Sequence, residues 1–522
     1  MVKSIRTVLL YTLILTMFLI GGVRIAVINS DTGVTAAAEN NSTLITLGQS
    51  RGRLFDCNGV ALTGDKEKNY AVIIPTEQTI EYCKSVFVGD EKISVLGKLR
   101  NGKAAVVETK KDISCAGVIN VKVPVWQSGD SLCLHLLGYT DSSLHGVTGL
   151  QKSMDKYLYS DRKITVRLFT DAMGRVLSGI EPQVENDRMS TSGVITTIDK
   201  NVQIAIEKAT SSLIKGAVVV SEAGTGKIRG MVSKPSFNAS ALEEALSSES
   251  SPLINRALLG YNVGSAFKPC IATCQADSDM SVECTGSVMI DGNSFACHKA
   301  SGHGAIDIGK ALAESCNSYF YRFAIEQGGD KIYETATLFG FGYNKTLCDG
   351  ITTQGESIPS RETLTSSRAL ANFSIGQGQL LASPVSMLML YEAIACEGIY
   401  HLPTVVEAVM ENAIVTETFE ANKATKAISK ATADIIKNYL SDVVKNGTGT
   451  GAFSEQVEVA GKTSTAQTGW SSEDGTLKKH SWFCGFFPVD SPRYIVAVLV
   501  EDSANTEVTA TGIFRYIAEA IA

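Results

Sequence analysis

Basic clusters are the first thing this sequence lacks. Its 47 Lys and Arg are outnumbered by 54 Asp and Glu, for a formal net charge of −7. No run of Lys or Arg is long enough to track a phosphate backbone, so a nucleic-acid partner is excluded. Paired CxxC spacing is missing as well. The twelve cysteines, at 57, 83, 115, 133, 270, 274, 284, 297, 316, 348, 396 and 484, have neither the spacing of a zinc ribbon nor the density of a disulfide scaffold. Most are expected to be small core residues. No internal repeat occurs, and no phosphate loop either. Gly226-Lys227 lacks the earlier glycine, which would fall at Ser221, and Ile228 stands where Ser or Thr is needed, so a hairpin turn is expected there. Gly447-Thr448-Gly449-Thr450-Gly451 reads as a flexible loop rather than a nucleotide cradle. With 44% hydrophobic and only 19% charged residues in 522, the chain is not disordered and can fill two or three domains.

What is present begins with an uncharged run, Thr7 to Val23, extended past Arg24 by Ile25-Ala26-Val27-Ile28. It is long enough to cross a bilayer. Lys3 and Arg6 precede it, which puts the N-terminus in the cytoplasm and the rest of the chain outside. No small-x-small site follows directly, so an uncleaved anchor is favoured over a signal peptide. Asp31 to Ser50 is polar and suits a stalk above the membrane.

Further on, Asn58-Gly59 between short apolar runs signals a tight hairpin, and Tyr70 to Ile74 and Ala104 to Val107 read as strands. The polar passage Ser178 to Gly193 separates this region from a new beginning at Val194. Lys200 to Leu213 fits an amphipathic helix capped by Asp199, and Gly216–Ser221 with Ile228–Val232 fits a hairpin. Ile308 to Gln327 and Asp434 to Val444 read as helices. Val457–Thr465, Ser481–Phe487 and Tyr494–Val500 read as strands, closed by a helix over Gly512–Ala520. The expected architecture is α+β: a five-stranded, mostly antiparallel sheet flanked by helices.

Three short motifs carry chemistry. Ser265-x-x-Lys268 can place a hydroxyl and an amine on one helix face, and the amine can take the hydroxyl's proton if it is itself kept neutral. Ser315-x-Asn317 follows, and Lys462-Thr463-Ser464-Thr465 ends a strand-like run. The set, in that chain order, is the one found in penicillin-binding proteins and class A β-lactamases.

On these residues the chain resembles the penicillin-binding proteins, specifically the monofunctional class B D,D-transpeptidases. The likeness extends to Arg51-Gly52-Arg53 with Asp56 to Gly59, Gly146 to Gln151, Thr197-Ile198-Asp199 with Gln203, Ser374 to Gly378 with Ser383-Pro384, and Trp482-Phe483 with Gly485-Phe486 and Pro488. No glycosyltransferase domain fits before residue 190. The resemblance implies a cytoplasmic tip and anchor at 1–28, an elongated pedestal at 29–190 and a transpeptidase domain of the penicillin-binding and β-lactamase fold at 191–522. It implies Ser265 as nucleophile, Lys268 as base, Ser315 as proton relay and Asn317 as a holder of Lys268 and of the substrate backbone. It places the charge of Lys462 beside Lys268, Thr463, Ser464 and Thr465 on the substrate, and the backbone N–H groups of Ser265 and Thr465 in an oxyanion hole. The implied partners are D-Ala-D-Ala stem peptides, an amine acceptor, β-lactams, the membrane and a polytopic glycan polymerase. Division, elongation and sporulation are all compatible with these motifs. Two residues depart from the family pattern: Ser464 stands where Gly is usual, with a hydroxyl expected to alter substrate fit, and Val263 stands where Pro is usual.

A D,D-carboxypeptidase or a β-lactamase would share the motifs but normally lacks the pedestal. A β-lactam sensor or a catalytically reduced cell-wall scaffold is the alternative of a different class. Cys270, Cys274, Cys284, Cys297, His298 and His303 fall close together in the chain, with Cys270 and Cys274 at i, i+4. Core or free thiols, a disulfide such as Cys284 with Cys297, and a metal are the three readings. The first is expected, with no metal and no cofactor. Cys316 is expected to face the helix core, and so many exported cysteines suggest an anaerobic host.

Overall fold

Strict alternation of buried side chains builds the sheet at the centre of the larger of two units. The computed structural model describes residues 2–28, 41–126, 131–177, 179–186, 191–420, 423–471, 477–503 and 506–522. Its strands β1 (Gly216–Glu222), β2 (Ile228–Lys234), β3 (Ala460–Ser471), β4 (Leu477–Phe487) and β5 (Tyr494–Val500) pair in the order β2-β1-β5-β4-β3. Every pairing is antiparallel. Ala217, Val219, Trp482, Cys484, Phe486, Ile495, Ala497 and Leu499 fill one face, and Val218, Val220, Phe483, Phe487, Val496, Val498 and Val500 the other. Both faces are therefore covered, in keeping with near-continuous apolar strands.

The second face packs on α1 (Lys200–Ala209), capped by the Asp199 side chain, and on α7 (Ala510–Ile521), whose Ile513, Phe514 and Ile517 are buried. Phe514 lies edge-on to Phe483 at 4.6 Å and to Phe487 at 5.7 Å. Truncating such a ring costs about 3–5 kcal/mol. The first face packs on α5 (Pro384–Ala395), all of whose residues are buried. It starts where Ser383 accepts from the Ser386 N–H and Pro384 takes the first helical position. Around these lie α2 (Lys268–Ala272), α3 (Ile308–Ala313), α4 (Asn317–Gln327) and α6 (Lys430–Lys445).

The expected single helix over Ile308–Gln327 is in fact two. The chain breaks at Ser315, which adopts φ +55°, and restarts with Cys316 as the N-cap residue of α4. Helical periodicity runs through both halves, so pattern alone hides the break.

The boundary expected at residue 190 is not a single cut. The larger unit comprises Gly52–Gly64, Trp126–Tyr159 and Met189–Ala522, and the smaller Met1–Arg51, Asp65–Val125 and Ser160–Arg188. The physical reason is strand pairing: Arg53–Phe55 runs parallel to Gly193–Thr196, which pairs in turn with Val406–Glu411. The Asn58-Gly59 turn is held by Asp56 Oδ1, which accepts from the N–H groups of Asn58 and Val60.

The smaller unit has two three-stranded sheets. In one, Glu67–Ile73 is flanked by Ala105–Thr109 and Val118–Pro124. In the other, Ser42–Gln49 pairs with Lys163–Phe169, which pairs with Gln183–Asn186. The stalk expected over Asp31–Ser50 is thus a paired strand from Ser42 onward, and Gln183–Asn186 turns part of the expected polar passage into another. The remainder of both stretches includes 29–40, 178 and 187–190, outside the described residues. Val2–Ile28 is one helix, long and apolar enough over Thr7–Ala26 to cross a membrane. The Thr12 hydroxyl donates to the Val8 carbonyl at 2.8 Å, so this polar group is satisfied within the helix.

Candidate active site

The Ser265-x-x-Lys268 motif sits where a 3₁₀ turn, Gly264–Phe267, runs directly into α2. Gly264 has φ +55°, and a Cβ there would collide with Ser464 Oγ on β3. Glycine at this position is what lets the turn lie against the strand. The turn is pinned from several sides. Trp482 Nε1 donates to the Asn262 carbonyl at 3.1 Å, the Gly264 N–H to the Gly376 carbonyl at 2.9 Å, and the buried Tyr391 hydroxyl to the Ala266 carbonyl at 2.9 Å. Ser265 is half-buried in this frame and Lys268 is fully buried.

Lys268 Nζ lies 2.6 Å from the Ser315 carbonyl oxygen, 2.8 Å from Asn317 Oδ1 and 3.3 Å from Ser315 Oγ. The Phe320 ring centroid is 5.4 Å away. The left-handed backbone at Ser315 turns its carbonyl onto the amine, which gives the helix break a local cause. Burial pushes the Lys268 amine down to about 7, opposed by the sulfurs of Cys316 and Cys297. Burial leads at Lys268, whereas Lys462 is held well below its ordinary range by burial and then by Lys268.

Lys462 is buried and donates to the Thr463 carbonyl at 3.1 Å, and its Nζ lies 3.4 Å from both Thr448 Oγ1 and Thr463 Oγ1. Thr448 and Thr463 hydroxyls are 2.7 Å apart. Thr448 is the residue that sequence reasoning missed, since it lies in the stretch taken for a flexible loop. That loop is fixed: the Thr448 N–H donates to the Ala313 carbonyl at 3.0 Å, and a Cβ at Gly447 would strike that carbonyl. The run of Gly and Thr carries no signal of a lysine partner. Thr448→Val is expected to destabilise the fold by about 1 kcal/mol, by leaving Lys462 and Thr463 short of a partner. Thermal unfolding against exposed Thr450→Val as control checks this.

On β3 the side chains alternate. Thr465 is exposed and Thr463 half-buried, while Lys462, Ser464 and Ala466 point inward. Ser464 thus lies on the buried side of the strand. Its hydroxyl is buried against Gly264 without a hydrogen-bond partner, not presented on the open face.

The five-stranded sheet, the serine turn against its edge strand and the two buried lysines lie within a longer similarity. Residues 216–519 match the penicillin binding protein transpeptidase domain. The chain belongs to that family. As a penicillin-binding protein it is 26% identical to the peptidoglycan D,D-transpeptidase MrdA of Acinetobacter baumannii, over 90% of this chain and 80% of the relative. It is also 26% identical to the stage V sporulation protein D of Bacillus subtilis, over 87% and 75%. Among solved structures, the D,D-transpeptidase domain of a peptidoglycan glycosyltransferase from Eggerthella lenta superposes with a TM-score of 0.65 at 24% identity. That alignment covers 90% of this chain and 98% of the other.

Proposed function

We propose that this class B penicillin-binding protein is a serine-type peptidoglycan D,D-transpeptidase. The observation that carries the reading is the environment of Lys268. A carbonyl oxygen and an amide oxygen only accept, so Ser315 O and Asn317 Oδ1 use both N–H bonds of a neutral amine. The lone pair is left over for a proton. Ser265 Oγ attacks the carbonyl of the D-Ala-D-Ala bond while its proton passes to Lys268 Nζ. That proton then leaves through Ser315 Oγ to the departing D-Ala nitrogen as the C–N bond breaks. The ester so formed is opened by an amine of a neighbouring stem peptide, which makes the cross-link and returns the proton to Ser265.

β3 is the edge strand of its sheet, which suits an extended peptide added alongside it. Thr463 and Thr465, with the charge that Lys462 carries when protonated, receive the terminal carboxylate. Backbone N–H groups of Ser265 and Thr465 stabilise the oxyanion, at about 3 kcal/mol each. The same geometry accounts for acylation by β-lactams. The N-terminal helix anchors the chain with Lys3 and Arg6 on the cytoplasmic side and the bulk outside, within reach of a polytopic glycan polymerase.

Cross-linking is the test. The full chain supplied with polymerised glycan bearing pentapeptide stems is expected to yield stem-peptide dimers and free D-Ala in equal amounts. D-Ala released without dimers would make the enzyme a carboxypeptidase.

A further inference from the structure

Ser464 carries a buried polar group for which the acyl-transfer steps have no use. The residue is 4% exposed, and its hydroxyl has no hydrogen-bond partner among the described residues. Burying a hydroxyl unpaired is costly. A side chain that draws two segments together does so by bonding, whereas one that bonds to nothing acts through its bulk alone.

That bulk meets Gly264. A Cβ built on Gly264 would fall on Ser464 Oγ, with Ala466 Cβ and Cα next at 3.1 and 3.3 Å. Gly264 has no room to retreat. Its N–H donates to the Gly376 carbonyl at 2.9 Å, and its own carbonyl oxygen stands where a Cβ on Gly376 would go. The strand can give instead, because β3 is the edge of its sheet and pairs there with β4 alone. Three residues beyond the contact, Asn262 Nδ2 donates to the Gln467 carbonyl at 3.1 Å and draws β3 toward the turn. Ser464 Oγ is the stop.

The contact lies between the two oxyanion donors. The Ser265 N–H belongs to the peptide unit that leaves Gly264, and the Thr465 N–H to the one that leaves Ser464. What holds Gly264 and Ser464 apart therefore holds the donors apart.

We propose that Ser464 is a positioning residue that props the oxyanion hole open and thereby slows acylation of Ser265. It acts through the backbone of β3 and touches no substrate. Donors work best at about 2.7–3.1 Å from the oxyanion, so excess spacing weakens the transition state and leaves ground-state binding alone. Ala466 limits how far the strand closes once the hydroxyl is gone, which keeps the gain modest. The effect on rate rests on the acyl-enzyme reading, but the steric contact does not.

The test is a size series at 464 in the full chain purified in detergent, with a labelled penicillin at several concentrations to separate the non-covalent Kd from the acylation rate constant. Ser464→Ala and Ser464→Gly should raise the rate constant about three- to tenfold and Ser464→Thr should lower it by as much, all with Kd unchanged. Ser464→Ala should also raise Tm by about 2 °C, since an unpaired hydroxyl is removed. A rate constant that stays flat across folded Ser, Ala and Gly overturns the prop, as does an effect confined to Kd or a slower Ser464→Ala. The contact has its own readout. Gly264→Ala lowers Tm through its left-handed backbone and through the collision, and only the collision is relieved in the Ser464→Gly background, where the loss should shrink by about half. Equal losses in the two backgrounds overturn the contact. A wild type that is never acylated, with the Tm losses unequal, upholds the contact and defeats the acyl-enzyme reading and the rate effect built on it.

Discussion

Ser265→Ala leaves the intact mass unchanged after incubation with a labelled penicillin, whereas the wild type gains one adduct. Loss of an attacking atom outright costs about 10⁶ in rate where it has been measured in a serine enzyme. The variant retains its fold, because Ser265 is half-buried in a turn fixed by bonds to Asn262, Gly264 and Ala266. Ala is no worse than Ser in the helix start that follows. Its stability is therefore expected within ~1 kcal/mol of wild type. Thermal unfolding of both proteins separates a lost nucleophile from a lost fold. The outcome that defeats the acyl-enzyme reading is a wild type without a lasting adduct and without penicillin turnover. Rapid turnover with no accumulated adduct would instead assign a β-lactamase. An adduct that persists in Ser265→Ala would move the nucleophile elsewhere.

The sheet was legible because its strands are buried on both faces and so apolar throughout, and the helix over 430–445 because its apolar residues recur at helical spacing. The three motifs were legible as a set. What stayed hidden depends on contacts between distant segments. Ser315 breaks a helix because Lys268, 47 residues earlier, takes its carbonyl oxygen. Thr448 matters because Lys462 reaches it, and nothing in a run of Gly and Thr announces a lysine partner. Ser42–Gln49 has mostly exposed or half-buried side chains, so its sequence looks like a stalk although Lys163–Phe169 pairs with it. The excursion of residues 52–64 into the larger unit has the same origin, in a parallel pairing more than a hundred residues away in the chain. Ser464 could be flagged as unusual from sequence, but only the strand's alternation against Gly264 shows that its hydroxyl points inward.

Lys268→Met is expected to slow penicillin acylation by about 10² to 10⁴-fold, the usual contribution of a positioned general base. Met keeps the length and the apolar stem, and it leaves the Ser315 carbonyl and Asn317 Oδ1 without their donor, at a cost of about 1–3 kcal/mol. The pH dependence gives a second and more specific signature. With burial holding the amine at about 7 rather than 10.5, wild-type acylation should climb with pH through that value and level off above it. Stability should move the same way for a related reason. Above pH 7 the folded chain has released this proton while the unfolded chain still holds it up to about 10.5, so the unfolded state binds more protons across that window. Rising pH therefore favours the folded form there, and below pH 7 the full penalty of a buried ammonium is present. Lys462, also held down by burial, adds in the same direction. In Lys268→Met the ascending limb near 7 should vanish from the residual acylation rate, and part of the gain in thermal stability between pH 7 and 10 should vanish with it. A wild-type profile flat from pH 5.5 to 9 would mean that Lys268 is not the base, whatever the size of the mutational loss.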